Sequence, residues 1–198
     1  MMLIEETPVS PAALPVEEFK AHLRLGSGFA PDDVQDAVLV GFLRAAVVAI
    51  EARTGKILIE RDFILSVNEW QSQDSQVFPV APVRAVTMMT SIDRTGVRSD
   101  VASDLFWLER DGHRPRVRSV GQALPAIPVA GGIEVSFQAG FGPFWADVPA
   151  DLVQAVMLLA AHYYEFRQET TLSEGCMPFG VTSLIERYRV LRLGGRTT

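Results

Sequence analysis

The feature that most constrains this chain is a double change in the period of its apolar residues. Up to residue 55 they recur at helical spacing, between 56 and 142 they alternate or gather in short β-branched and aromatic runs, and from 143 helical spacing returns. One element cannot satisfy both periods, so the sequence predicts an α+β fold. Its expected form is a helical core, with two N-terminal and two C-terminal helices, interrupted by a small antiparallel β-rich insertion. The expected division is 1–55 for the N-terminal helical part, 56–142 for the insertion, and 143–198 for the C-terminal helices and an Arg-rich tail.

The local signals fill in this outline. In VEEFKAHLRL, Val16, Phe19 and Leu23 share a helical face, and Glu17 and Glu18 occupy the first turn, where the helix dipole favours acids. Gly26 and Gly28 end that helix, and Pro31, Asp32 and Asp33 open a second one. Along the second helix Val34, Val38, Phe42, Ala45, Ala49 and Ala52 are expected to form the buried stripe, with Gly55 closing the helix. Strand-like runs cover Phe63 to Val67 and residues 85–92, 105–108, 116–120 and 133–137, separated by the turn clusters DRTG, RDGH and AGG. Pro79, Pro82, Pro125 and Pro128 belong in connections or on edges, because proline cannot donate to a sheet ladder. A long helix is expected over 150–169, with two adjacent apolar stripes. Leu152, Val156, Leu159, Tyr163 and Phe166 form one; Val153, Met157, Ala160 and Tyr164 form the other. A helix apolar on two faces needs cover on two sides, from its own domain or from a neighbouring subunit. A last helix is expected over 181–193, with Leu184, Ile185, Tyr188 and Leu191 as its apolar set.

Composition narrows the function. The 198 residues are 48% hydrophobic and 21% charged, with a formal net charge of −6. Such a chain is too apolar to be disordered and too acidic to wrap nucleic acid. The start MMLIEE lacks the basic residues of a secretory signal, and the run from Ala155 to Ala161 is far too short to span a membrane, so an intracellular protein is expected. The single cysteine, Cys176, supports neither an internal disulfide nor structural zinc. Charge is unevenly spread: residues 1–52 hold eight acids against three bases, whereas from Arg187 onward there are four arginines and no acid.

No catalytic constellation is legible. His22, His113 and His162 stand apart in the sequence without partners at metal-ligand spacing. Cys176 with His162 is the one conceivable nucleophilic pair, but nothing local supplies an orienting third group. The Gly26-Ser27-Gly28 cluster lacks the third glycine and the preceding strand of a dinucleotide fingerprint. Arg110, Arg114, Arg116 and Arg118 make a basic patch, read either as a solvated hairpin or as a contact to phosphate or an acidic neighbour. No catalytic residue, cofactor or metal is assigned. A doubly apolar helix between oppositely charged chain ends points to a component of an assembly, one able to close into a ring through head-to-tail contacts.

Several strings, read in order, resemble one family, the head-to-tail connector (adaptor) proteins of long-tailed bacteriophages and gene transfer agents. They are VEEFKAHLR at 16–24, IEARTGKILI at 50–59, FPVAPVRAVT at 78–87, IEVSFQAGFG at 133–142, VPADLVQAVMLLAAHYYEFR at 148–167 and MPFGVTSLIERYR at 177–189. The resemblance implies a structural subunit that forms a ring, commonly of twelve, under the capsid portal. Its implied partners are the portal protein, the next neck or tail-completion protein, and copies of itself, with DNA passing through the channel unread. It would reside in the host cytoplasm during assembly and then in the neck of the particle. On this resemblance Phe179, Tyr188, Arg189, Arg192 and Arg196 are the expected portal-docking residues, and Val153, Met157 and Tyr164 the expected subunit interface. Two other classes stay open at this point: a cytosolic binding module with a β-rich ligand lobe, and a small hydrolase using Cys176.

Overall fold

The structure, a computed structural model, describes residues 1–24, 33–167 and 177–189. The chain divides into two compact units. One comprises Met1–Ser10 with Ile57–Asp147, the other Pro11–Lys56 with the chain from Val148 onward. The first ten residues therefore belong with the strands, which corrects the expectation of a helical part beginning at residue 1.

In the strand unit, β1 (Met2–Glu5), β2 (Arg61–Val67), β8 (Gly132–Ala139), β4 (Val83–Ile92) and β5 (Arg98–Asp100) form a five-stranded sheet in the order β1-β2-β8-β4-β5. A three-stranded sheet has the order β3-β7-β6, from β3 (Ser75–Val77), β7 (Arg116–Ser119) and β6 (Phe106–Glu109). All pairings between these strands are antiparallel. Period-2 patterning explains the register of the central pair: Phe63, Leu65 and Val67 of β2 lie opposite Phe137, Val135 and Ile133 of β8, and all six are buried. Phe137 stacks on Phe63 at 5.6 Å between centroids and tilts against Phe78 at 4.6 Å. Aromatic pairs of this kind add about 0.5–1.5 kcal/mol beyond their area burial. Phe106 and Val117 of the smaller sheet join the same core.

The turn clusters act through their side chains. Asp93 accepts the backbone N–H of Thr95 at 2.8 Å and of Val97 at 2.9 Å, which closes the β4–β5 hairpin. Asp111 does the same between β6 and β7, accepting from His113 and Arg114. Both carboxyls are held below the usual aspartate range, Asp93 chiefly by the Thr95 hydroxyl and Asp111 by those two backbone amides. Pro79, Pro82, Pro125 and Pro128 all lie outside strands, as expected.

In the helical unit, α1 (Val16–His22), α2 (Asp33–Thr54), α3 (Ala150–Glu165) and α4 (Phe179–Ile185) pack so that α3 touches each of the other three. Lys20 of α1 bridges Asp36 of α2 at 2.7 Å and Glu17 at 2.8 Å, and these hydrogen bonds raise its ammonium pKa, with Asp36 the larger cause. Gly55, at φ 67°, ends α2 in the left-handed conformation that glycine adopts without strain.

The buried side of α2 is not the expected one. Leu39, Leu43, Ala46, Val47 and Ile50 are buried, whereas Val38, Ala45 and Ala52 are exposed and Phe42 and Ala49 half-buried. The expected stripe collected most of the alanines. The core instead takes the leucines and isoleucine, because burial scales with the apolar area removed from water.

Candidate assembly surfaces

Four of the expected docking and interface residues are exposed or half-buried, two are buried, and two lie outside the described residues. Pro178 starts α4, its carbonyl accepting the N–H of Val181 at 2.9 Å and of Thr182 at 3.1 Å. Phe179, the first helical residue, is left 87% exposed. At the other end of the segment the helix tightens into a turn at Glu186–Tyr188. Arg189 follows it, exposed and paired with Glu186 at 3.1 Å. Arg192, Arg196 and Cys176 lie outside the described residues.

Tyr188 turns inward, which corrects its assignment as a docking contact. Its hydroxyl donates to Asp151 Oδ1 at 2.7 Å and accepts from Arg187 at 2.5 Å, while Arg187 Nε lies 2.7 Å from Asp151 Oδ2. The Arg187 guanidinium also stands 4.7 Å over the Tyr188 ring. Burial pushes the Tyr188 phenol pKa up, and the Tyr188 hydroxyl, followed by Asp151, raises that of Arg187. This clamp ties the end of the α4 segment to the first turn of α3. Asp151 therefore holds the α4 segment in place, a role not assigned to it from the sequence.

The two stripes on α3 are covered only in part within the helical unit. Leu152, Val156 and Leu159 of the first are buried, as are Met157 and Ala160 of the second. Met157, at 6% exposure, has almost no surface left for another subunit. Val153 and Tyr164 are half-buried. Tyr164 meets Phe42 of α2 edge-on at 6.0 Å, with the Arg167 guanidinium 5.1 Å over its ring.

No family model and no curated protein matches the chain. Solved structures do. A chain from the neck of an empty GTA particle, computed with C6 symmetry, is 50% identical, with a TM-score of 0.90 over 99% of this chain and 100% of its own. A chain of the native gene transfer agent (GTA) virion is 49% identical, with a TM-score of 0.87 over 98% of each chain. One from the neck of the native GTA particle, computed with C12 symmetry, is 47% identical, with a TM-score of 0.85 over 99% of this chain and 100% of that one. This chain belongs to the head-to-tail connector family.

In this connector, the basic patch on the β6–β7 hairpin is compensated in part. Arg118 pairs with Glu109 and, at 3.1 Å, with Asp74; Arg116 lies 3.7 Å from Glu109. Arg110 donates to the Arg84 carbonyl at 3.0 Å. Two of the four arginines, Arg116 and Arg118, are thus paired with carboxylates of the three-stranded sheet and of the residue preceding it. His162 packs 4.6 Å from Phe166, and its Nε2 has no hydrogen-bond partner among the described residues. Among the described residues no group of three His, Cys, Asp or Glu side chains is placed to hold a metal, and no helix is long and apolar enough to cross a membrane. The likeness gives no support to the ligand-module or hydrolase alternatives.

Proposed function

We propose that this chain is a structural subunit of a particle neck. Copies form a ring beneath the capsid portal, join it to the next neck or tail-completion protein, and leave a channel for DNA. The observation that carries this is identity of 50% over essentially the whole chain with a chain from the neck of a GTA particle. The C6 and C12 symmetries of the related necks support a ring of twelve, which contains sixfold symmetry within it. A net charge of −6 suits a conduit, because a surface that neutralised phosphates would retard the DNA.

Portal docking falls to the segment from Phe179 to Arg189, with Arg192 and Arg196 continuing it. Phe179 offers an unburied ring, worth roughly 2–3 kcal/mol when enclosed by a partner. Arg189 offers a guanidinium able to grip a carboxylate with two hydrogen bonds. Each contact alone is weak. Repetition around a ring makes the assembled interface strong, because every bond after the first forms at high effective concentration. Val153 and Tyr164 remain on the subunit-contact side of this proposal.

Affinity purification of the tagged chain from particle-producing cells is the test, with mass spectrometry of co-purifying proteins and imaging of the eluate. A portal protein and neck-like rings are expected. The double change Phe179→Ala with Arg189→Glu should remove the portal while leaving the chain folded. Recovery of no virion component from cells that are assembling particles would overturn the proposal.

A further inference from the structure

Helix α2 has a face that nothing among the described residues covers. At 3.6 residues per turn, Ala37, Val38, Gly41, Ala45, Val48 and Ala52 fall within an arc of roughly 100°. All six are exposed, Val38 by 46% and Val48 by 63%. The arc contains no charged residue; Arg44 stands at its edge. Solvent-facing helix surfaces are ordinarily polar or charged, and a helix that is apolar on its outer face as well as its inner one requires a second cover. Midway along it the face is open: a Cβ built on Gly41 would meet nothing within 4 Å among the described residues. Its border continues through Phe42 to the ring of Tyr164 on α3.

We infer that this face of α2, bordered by Tyr164, is the surface against which a neighbouring copy of the chain packs in the neck ring. The inference rests on the neck-subunit proposal and adds the interface to it. Two arguments select a second copy as the occupant. Related chains at 47–50% identity come from necks computed with C6 and C12 symmetry, and in a cyclic ring one flank of each subunit meets a different flank of the next. The second argument is area. From residue 37 to residue 52 the strip is about 24 Å long at 1.5 Å per residue, and roughly 10 Å wide. The resulting area of about 240 Å² is a third of the ~800 Å² per partner that a stable binary interface buries. Such a strip cannot hold a dimer in free solution. It suits a contact that is repeated around a ring and completed by the other surfaces that hold the subunits in place. The valines, alanines and glycine allow a packed element to approach within the 8–10 Å spacing of closely packed helices.

The test replaces Val48 with the photo-crosslinker benzoylphenylalanine in the full chain and, separately, makes Ala45→Glu and Val48→Glu. All are expressed in particle-producing cells in place of the wild type. Irradiated particles should yield an adduct of twice the chain's mass. Each glutamate variant should show an unchanged melting temperature as a purified chain but at least tenfold lower incorporation into particles. An adduct with a different particle protein, or glutamate variants incorporated as well as wild type, overturns the α2 interface and leaves the neck proposal standing. Absence of the wild-type chain itself from purified particles overturns the neck proposal.

Discussion

Replacing Leu43 with alanine and, in a separate protein, Val48 with alanine tests which side of α2 is inside. Leu43 is fully buried, so its truncation removes packed methyl groups and leaves a cavity that helices on either side only partly close. The cost is about 3 kcal/mol, within the usual span for buried leucine. For a chain of this size each kcal/mol moves the midpoint by roughly 2–4 °C, so a drop of about 6–12 °C is expected. Val48, 63% exposed, loses little burial. Alanine is also the better helix former by up to about 0.7 kcal/mol, so the second change should leave stability within about 0.5 kcal/mol of wild type or slightly above it. Far-UV circular dichroism melts and urea midpoints on both variants read the difference. Equal losses, or a larger loss for Val48→Ala, would mean that α2 is rotated about its axis from the arrangement described. The exposed face proposed for the neighbouring subunit would fall with it.

Three further outcomes follow from the geometry. Gly140 has φ 138°, and a Cβ there would lie 2.5 Å from the Glu60 backbone, so Gly140→Ala should cost about 2–4 kcal/mol in a urea titration; a neutral result would contradict the close approach. Tyr188→Phe removes the hydroxyl between Arg187 and Asp151 and should cost about 1–2 kcal/mol. Because burial raises the Tyr188 pKa, this tyrosine should be the late component of the tyrosinate absorbance titration and be missing from the variant. Its stabilising contribution is whole below the ordinary tyrosine range and is lost as pH rises through the elevated value. Asp93→Ala removes the acceptor of the β4–β5 turn and should lower the urea midpoint at neutral pH. With the folded pKa depressed, the wild-type advantage should persist at neutral pH and vanish as pH falls through that low value; an advantage that grows on acidification would refute the assignment.

The α+β class, the strand-rich middle, the proline positions and the start of α3 were all legible in the sequence. Each depends on a local rule: a period, a turn residue, or proline's missing N–H. The alternation of Phe63, Leu65 and Val67 was enough to set which face of β2 is buried. Short strands escaped notice. β1, β3 and β5 span four, three and three residues, too few to show a period, and β1 is a strand only because β2, some sixty residues away, supplies its hydrogen bonds.

The candidate surfaces divide along the same line. Phe179 and Arg189 could be singled out from residue type and end up exposed, whereas Tyr188 and Met157 have the same chemical character and are buried. An apolar residue carries no mark that says whether its partner is its own core or another subunit. On α2 both sides are apolar at helical spacing, and the stripe expected from the sequence to be buried lies on the side that the structure leaves largely exposed. Only the packing of α2 against α3 decided that Leu39, Leu43 and Ile50 take the inner one and that Val38, Ala45 and Val48 are left for the outer. The physical reason is that periodicity states how apolar residues are spaced around an element, while the choice of face depends on the size and shape of what packs against it.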